Sequence, residues 1–247
     1  IAEQNMASVA AGMSSYGFIP FITSFTPFAS RRICDQIAIS IAYAKQNVKI
    51  IGSDPGISAE FNGGTHMSME DIGVLRSIPE LVIYEPVDVA QFKQALPQIV
   101  AYEGPVYIRM FRKTIDDVFT DANYKFDLFG ADCIQEGTAV TIFCSGIMVQ
   151  ETMKANEILK QEGIDAEIIN IHTIKPIDRD AVVASAKKTG AVVVAENHNV
   201  IGGLTSAVCE VLMEEYPVPL RAVGVKDRFG QVGKMPFLKE EYHMTAK

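Results

Sequence analysis

The stretch VKIIGSDPGISAEFNGGTH, from Val48 to His66, decides the fold. It begins as an apolar run of strand length and continues into Gly, Pro, Asn, Asp and Ser, which are typical of loops. In open α/β sheets, ligands bind beyond the carboxyl ends of strands, so this strand and loop predict a binding edge. The loop is not a nucleotide-binding phosphate loop, because no Gly-Lys-Ser/Thr follows its glycines. Four glycines allow its backbone to approach a ligand closely, and they are Gly52, Gly56, Gly63 and Gly64.

On both sides of this stretch, short apolar runs alternate with longer amphipathic segments. That alternation predicts a mostly parallel sheet with helices on both faces. The first half is predicted as helix 3–15, strand 18–24, helix 29–45, strand 48–53, helical turns 69–77, strand 81–85, helix 87–100 and strand 106–110. The second half is predicted as strand 139–144, helix 149–162, strand 166–170, helix 178–189, strand 191–196, helix 204–215 and strand 220–225.

Residues 113–132 lose this periodicity and carry five Asp, which is typical of a linker. The chain is therefore predicted to form two three-layer α/β/α domains, over residues 1–120 and 133–247. The first residues enter a helical pattern directly and without an initiator Met. We therefore expect preceding residues, roughly 30–60 or one to two βα units, to complete the first sheet.

Composition limits the classes of partner. The chain has 247 residues, is 48% hydrophobic and carries a net charge of −8, which argues against nucleic acid or an anionic membrane as the main partner. A local basic pocket for an anionic substrate remains compatible with that charge. The sequence contains no apolar run of about 18 residues and no signal peptide. The cysteines, Cys34, Cys133, Cys144 and Cys209, show no CxxC spacing and are expected to be reduced thiols, so a cytoplasmic location is predicted.

Four residues near the predicted binding edge have the chemistry of a site, although each also has an ordinary structural role. Glu3 heads a helix, where a carboxylate is commonly a favourable N-terminal charge. Phe25 and Phe28 follow a strand and could simply pack a corner. His66 ends the Gly-rich loop and could be merely exposed. Taken singly, none of them indicates a function.

Taken together and in order, the motifs of the chain resemble those of one family. The segments IAEQNM at 1–6, TSFTPF at 23–28, DPG at 54–56, NGGTH at 62–66 and GPVYIRMFR at 104–112 resemble the pyrimidine-binding domain of transketolases. Deoxyxylulose-phosphate synthases and the β subunits of 2-oxo-acid dehydrogenases share that domain. The segments SG at 145–146, IKPI at 174–177 and ENHNVIGG at 196–203 resemble the transketolase C-terminal domain.

The resemblance implies thiamine diphosphate as the cofactor and a two-carbon ketol transfer between sugar phosphates as the reaction. Glu3 matches a catalytic Glu that contacts the ring nitrogen of the aminopyrimidine. Phe25 and Phe28 match aromatic residues that pack on the same ring. Transketolases carry a third aromatic residue slightly further on, and this chain has Arg31 or Arg32 in that region.

The resemblance also implies a substrate site. His66 matches a His that hydrogen-bonds the donor sugar and can act in acid–base steps. Asn62 stands where the family usually has an Asp that reads a substrate hydroxyl, so the preferred sugar can differ. Arg112 matches an Arg that binds the substrate phosphate, with a salt bridge to the acidic linker as its structural alternative. Arg109 lies on the other strand face and is the weaker candidate. The second domain is expected to form an interface through Glu196, His198 and Gly202–Gly203.

The family binds Mg²⁺ and the diphosphate through a Gly-Asp-Gly…Asn signature, which this sequence does not contain. No metal ligand is therefore predicted in this chain, and Mg²⁺ is assigned to a partner. We expect that partner to be the N-terminal section of a split transketolase, in a dimer or a heterotetramer. The alternatives are the β subunit of a 2-oxo-acid dehydrogenase E1 component, a deoxyxylulose-phosphate-synthase-like enzyme, or a non-catalytic module that kept the fold.

Overall fold

The first sheet is built mainly from the apolar runs of the first half. The computed structural model describes residues 2–247. The strands of this sheet are β1 Phe21–Phe25, β2 Lys49–Ser53, β3 Val82–Tyr84, β4 Val106–Met110 and β8 Thr173–Lys175. Their order is β1-β2-β4-β3-β8, with the first four parallel and β8 antiparallel to β3. The predicted mostly parallel sheet is confirmed, and the second half of the chain adds a strand to it.

Helical segments cover this sheet. They are α1 Glu3–Ser15, α2 Thr26–Ala29, a 3₁₀ turn at Arg31–Ile33, a π-helix at Gln36–Tyr43, a 3₁₀ segment at Gly56–Asn62, α3 Asp71–Arg76 and α4 Val89–Ala101. The prediction of one continuous helix over 29–45 is wrong, because Ser30 has non-helical dihedral angles and separates α2 from the next turn. The predicted apolar face of this segment is confirmed, since Ile33, Ile37 and Ile41 are fully buried.

The second sheet contains β5 Asp132–Gln135, β6 Val140–Cys144, β7 Ala166–Asn170, β9 Val192–Asn199 and β10 Leu220–Val225. Their order is β10-β9-β6-β7-β5, and only β5 is antiparallel to its neighbour. Its helices are α5 Met148–Gln161, α6 Arg179–Thr189, α7 Leu204–Glu215 and α8 Met235–Glu241. The predicted α/β class is confirmed, whereas β5, β8 and α8 were not predicted. Along residues 2–247, none of the helices combines the length and the apolar character needed to span a bilayer.

The segment between the sheets is anchored rather than loose. Asp88 caps α4 through one carboxylate oxygen and accepts from the backbone of Val118 and Phe119 through the other, at 2.7 and 2.8 Å. Further along, Phe126 and Leu128 are buried against the first sheet. These contacts hold the aperiodic segment against the first half of the chain.

The two halves meet closely on one side of the Gly-rich loop. A Cβ atom on Gly202 would lie 2.8 Å from Cα of Gly73, so only glycine permits this approach. The backbone N–H of Gly73 also donates to Nε2 of His198 at 3.4 Å. Glu196, by contrast, accepts from the first two N–H groups of α7, where a carboxylate complements the helix end.

Candidate active site

Three aromatic rings meet at the carboxyl ends of β1 and β2. Phe25 is the last residue of β1, Phe28 lies one helical turn later, and His66 ends the loop that follows β2. The ring centroids are 6.3 Å apart for Phe25–Phe28, 5.3 Å for Phe25–His66 and 5.1 Å for Phe28–His66, all with edge-to-face geometry. All three rings are partly exposed. The structure therefore brings together three residues that the sequence separates by about 40 positions.

Glu3 joins this cluster through an arginine. It is the first residue of α1 and is largely buried, with 9% of its side chain exposed. Its Oε2 lies 3.3 Å from a guanidinium nitrogen of Arg32. The guanidinium carbon of Arg32 in turn lies 4.0 Å from the centroid of the Phe28 ring. The guanidinium of Arg32 therefore contacts both the carboxylate of Glu3 and the ring of Phe28.

A second arginine lies against the other aromatic residue. Arg112 follows β4, and its guanidinium carbon is 4.9 Å from the Phe25 ring centroid. Its Nε donates to Oδ2 of Asp54 at 2.6 Å, and Asp54 is buried at the end of β2. The predicted structural alternative for Arg112 was a bridge to the acidic linker, but the carboxylate that it binds belongs to the Gly-rich loop. More than half of the Arg112 side chain remains exposed.

Asn62 is placed differently from the other predicted residues. It is exposed at the end of the 3₁₀ segment, and its Nδ2 donates to the carbonyl oxygen of Ala59 at 2.8 Å. Glu60 has a positive φ of 45° inside this segment, which turns the chain sharply before Asn62. The hydrogen bond of the Asn62 side chain is thus made within its own loop.

Cations form an exposed rim around the site, although the chain as a whole is acidic. Each cation pairs with a carboxylate that is less exposed than itself. The pairs are Arg31–Glu70, Arg32–Glu3, Arg112–Asp54 and Lys113–Glu60. Each of these four cations keeps between 42% and 54% of its side chain exposed to solvent.

The second half of the chain fixes the Gly-rich loop from behind. Asn197 accepts from the backbone N–H of Ile57 at 3.0 Å and donates to the carbonyl of Pro55 at 2.9 Å. A Cβ atom on Gly64 would lie 2.4 Å from the carbonyl oxygen of Gly230. The glycine at position 64 therefore allows a close approach between two parts of this chain, which differs from the predicted approach to a ligand.

Arg109, the weaker substrate candidate, belongs to the interior. Its side chain is fully buried, and it binds Asp71 at 2.8 Å, Glu85 at 2.6 Å and the carbonyl oxygen of Asn197 at 2.6 Å. Burial alone would lower the pKa of Arg109, but the charges of Asp71 and Glu85 raise it above its ordinary value. Arg109 is thus a permanent buried cation and is not available to a substrate.

Sequence reasoning did not identify Asp54 and Arg32 as parts of this site. Asp54 directly follows β2, and that position at a strand end was an available signal. For Arg32, the signal was a pair of cations, Arg31 and Arg32, in the region where the family resemblance leads one to expect an aromatic residue. Within residues 2–247, no group of three or more His, Cys, Asp or Glu side chains is placed to hold a metal ion.

Comparison with protein families gives two adjacent matches. Residues 1–116 match the transketolase pyrimidine-binding domain, and residues 130–247 match the transketolase C-terminal domain. The first match contains the aromatic cluster, Glu3 and Arg112. The second contains Asn197 and the loop that backs the Gly-rich segment.

Individual relatives agree with these matches. The chain is 56% identical over its whole length to the 6-deoxy-6-sulfo-D-fructose transketolase subunit SqwH of Clostridium sp. (strain MSTE9), covering 76% of that protein. It is 35% identical to an apulose-4-phosphate transketolase subunit of Phocaeicola vulgatus, over 92% of this chain and 72% of that one. A solved structure described as a split gene transketolase, inactive beta4 tetramer, superposes with a TM-score of 0.93 at 43% identity, covering all of this chain and 78% of the other.

Proposed function

Because the chain belongs to the transketolase family, we propose that it is the subunit of a split transketolase that supplies the pyrimidine side of a thiamine diphosphate site. The reaction is the transfer of a two-carbon ketol unit from a ketose to an aldose, which makes the protein a transferase. One observation carries the proposal: the buried Glu3 and the Phe25–Phe28–His66 cluster are joined at the carboxyl ends of adjacent parallel strands.

The residues present fit the aminopyrimidine ring of the cofactor. A flat heteroaromatic ring needs an apolar face and an acceptor for its ring nitrogen, and Phe28 and Glu3 offer these two surfaces. When bound, thiamine diphosphate supplies the reactive carbon that attacks the carbonyl of the ketose. In this proposal Phe25 and Phe28 contact the ring, and Glu3 hydrogen-bonds its nitrogen.

Glu3 has the catalytic role in this chain. Its largely buried carboxylate can share a proton with a ring nitrogen in a charge-assisted hydrogen bond, which is stronger than one between neutral groups. Holding that proton at the carboxylate oxygen controls the protonation of the ring during turnover. Positioned acid–base groups of this kind contribute about 10²–10⁴-fold to rates.

His66 and Arg112 are proposed to contact the substrate. The Oγ1 of Thr65 lies 2.9 Å from Nδ1 of His66, which leaves Nε2 as the nitrogen for a ligand. Arg112 is held by Asp54 and keeps an exposed edge of its guanidinium, which suits a planar contact with a terminal anion. Asn62 is proposed to read a sugar hydroxyl after its amide leaves the Ala59 carbonyl.

The donor is proposed to be a ketose with an anionic end. The two relatives above are described by substrates that carry a sulfo group or a phosphate, and both groups offer three oxygens to a guanidinium. The sugar phosphates predicted from the sequence and the sulfonated analogue are therefore both candidates. The exposed part of the Arg112 guanidinium supports either, since both anionic groups can accept hydrogen bonds from it.

A partner subunit is proposed to hold the diphosphate and Mg²⁺. The two proposed domains of this chain are residues 1–120 and 133–247, and the active assembly pairs copies of this chain with copies of the partner. The tetramer named for the solved relative supports self-association. The four cysteines are free thiols, which agrees with the proposed cytoplasmic location.

The alternatives proposed from the sequence are less well supported, because the relatives above are transketolase subunits. A 2-oxo-acid dehydrogenase β subunit or a deoxyxylulose-phosphate-synthase-like enzyme would act on a 2-oxo acid such as pyruvate. That difference in donor substrate separates these alternatives from ketol transfer in a single assay.

The test combines binding and turnover. The chain is mixed with its candidate partner subunit, thiamine diphosphate and Mg²⁺, and is offered fructose 6-phosphate, 6-deoxy-6-sulfofructose or pyruvate as donor. We expect ketol transfer from at least one of the two ketoses, and only when the partner is present. Turnover of pyruvate alone, or full activity of this polypeptide without a partner, would overturn the proposal.

A further inference from the structure

Arg32 lies where a ligand of Glu3 and Phe28 would have to lie. Its guanidinium stacks at 4.0 Å over the Phe28 ring and reaches Oε2 of Glu3 at 3.3 Å. The guanidinium is planar, carries N–H donors along its edge and packs well on aromatic faces. These are the same properties that an aminopyrimidine ring offers to an aromatic face and a carboxylate.

From this overlap we propose that the Arg32 guanidinium lies in the pyrimidine seat, meaning the place beside Glu3 and Phe28 that the pyrimidine ring would take. The guanidinium leaves this place when the cofactor enters, so Arg32 is a positioning residue that acts through Glu3. The inference rests on the proposed function, because it takes Glu3 and Phe28 as that seat. It assigns a role to one of the two arginines, Arg31 and Arg32, in the region where the family resemblance leads one to expect an aromatic residue.

The two partners of this ion pair differ in their freedom to move. Glu3 is fixed at the start of α1 and has only 9% of its side chain exposed, whereas 43% of the Arg32 side chain is exposed. The guanidinium of Arg32 is one of the groups that stabilise this buried carboxylate, through a contact of 3.3 Å. An exposed arginine can swing into water at small cost, because half-exposed ion pairs are weak.

Arg112 is a comparison for Arg32, because its guanidinium is held in place by a second, buried partner. It also lies over an aromatic ring, Phe25, but its Nε is bound to the buried Asp54 at 2.6 Å. Arg32 has a single contact with Glu3, at 3.3 Å, and Glu3 is itself the group that the cofactor needs. The cofactor therefore competes with Arg32 and leaves Arg112 undisturbed.

The adjacent arginine provides a matched control. Arg31 has 42% of its side chain exposed, close to the value for Arg32, but it pairs with Glu70. An Arg→Met change at either position removes one guanidinium and keeps an unbranched apolar side chain. If the loss of a positive charge alone changes the affinity for the cofactor, both variants should show the change. If removal of a competing guanidinium changes that affinity, only the variant at position 32 should show it.

The test measures the affinity of thiamine diphosphate, with Mg²⁺, for the complete assembly of this chain and its partner by calorimetry. Arg32→Met should bind the cofactor about two- to fivefold more tightly than wild type, the range expected when a half-exposed competing ion pair is lost. Arg31→Met should match wild type. In a Glu3→Gln background, adding Arg32→Met should bring a smaller gain, because the ion pair is already broken and only the stacking on Phe28 is left to remove.

Unchanged or weaker cofactor binding by Arg32→Met, with assembly intact, would overturn the inference, since Arg32 would then be neutral or a cofactor ligand. Arg32→Lys gives an independent check, because lysine keeps the charge without the planar stacking group and should lie between wild type and Arg32→Met. Failure of the wild-type assembly to bind thiamine diphosphate at all would instead contradict the proposed function.

Discussion

Arg109 and Asp71 form a two-point ion pair that is closed to solvent where the two halves of the chain meet. The distances are 2.8 Å from Nε to Oδ2 and 3.2 Å from the second nitrogen to Oδ1, and neither side chain is exposed. The same guanidinium binds the carbonyl of Asn197, whose side chain holds the Gly-rich loop. The position of that loop therefore depends on a buried charge network behind it.

Removing Arg109 should destabilise the protein strongly. Arg109→Met leaves Asp71 and Glu85 as uncompensated buried carboxylates, and breaking a buried pair in this way costs about 3–5 kcal/mol. Urea unfolding followed by circular dichroism measures the loss. Arg221→Met is the control, because Arg221 is exposed and should change stability by no more than about 0.5 kcal/mol. Similar midpoints for the two variants would mean that the network contributes little.

Glu3→Gln should preserve the fold and remove most of the activity. Glutamine fills the same space but cannot take up a proton, so turnover with the partner subunit should fall about 10²–10⁴-fold. Steady-state rates at saturating cofactor measure the loss of activity, and a thermal unfolding curve shows whether the fold is preserved. Glu103→Gln changes an exposed carboxylate and should leave both unchanged. A Glu3→Gln variant with about a third or more of the wild-type rate would exclude a catalytic role for Glu3.

Arg112→Ala should weaken the binding of anionic ketoses selectively. Loss of a charge-assisted hydrogen bond should raise KM about 10- to 150-fold for a phosphorylated or sulfonated donor and much less for an uncharged one. The matched control is Lys113→Ala, since Lys113 is similarly exposed and pairs with Glu60. Equal increases for charged and uncharged donors would indicate that Arg112 acts only by neutralising the buried Asp54.

The sequence predicts secondary structure well where one hydrophobic period is unbroken. The observed limits of α1, β4, β7, α7 and β10 coincide with the predicted ones. The strand β8 could not be found in this way, because three residues carry no period and their pairing with β3 depends on tertiary contact. The π-helix at Gln36–Tyr43 was predicted as an α-helix, since apolar residues spaced by four are compatible with both.

For the candidate site, the sequence indicated which residues belong to it but not which ion pairs its charged residues form. The order of motifs led to Phe25, Phe28 and His66, which the structure brings together. The partners of the charged residues depend on how distant loops meet, as in Arg112 with Asp54, 58 positions apart. Periodicity and local motifs carry no information about such pairs, so a linker carboxylate was an equally reasonable partner before the fold was known.

Two neighbouring buried groups should give stability opposite dependences on pH. Burial lowers the pKa of His172 to about 4, from an ordinary value near 6.5. Burial also raises the pKa of Asp132 to about 6, from near 3.8, although Asn170, Tyr124 and Gln91 donate hydrogen bonds to it. The two side chains lie 3.7 Å apart, beneath the segment that joins the sheets.

The signs follow from proton binding. Between about pH 4 and 6.5 the unfolded chain holds a proton on His172 that the folded chain lacks, so this group makes stability rise with pH. Between about pH 3.8 and 6 the folded chain holds a proton on Asp132 that the unfolded chain lacks, so this group makes stability fall as pH rises. Each effect is on the order of 3 kcal/mol, and the two largely offset each other.

Single substitutions should expose each component. Relative to wild type, His172→Phe should make the free energy of unfolding fall more, or rise less, from pH 4 to 6, whereas Asp132→Asn should make it rise more. Phenylalanine can keep the ring contact with Phe126, and asparagine keeps an acceptor oxygen for the neighbouring donors. Burial also lowers the pKa of His198 to about 4, but that contribution is common to all three proteins and cancels in the comparison. Urea unfolding at pH 4, 5 and 6 gives the slope of the free energy of unfolding against pH for wild type and for each variant. A change of slope in the same direction for both variants would contradict the opposite pKa shifts of His172 and Asp132, because only groups with opposite shifts change this slope in opposite directions.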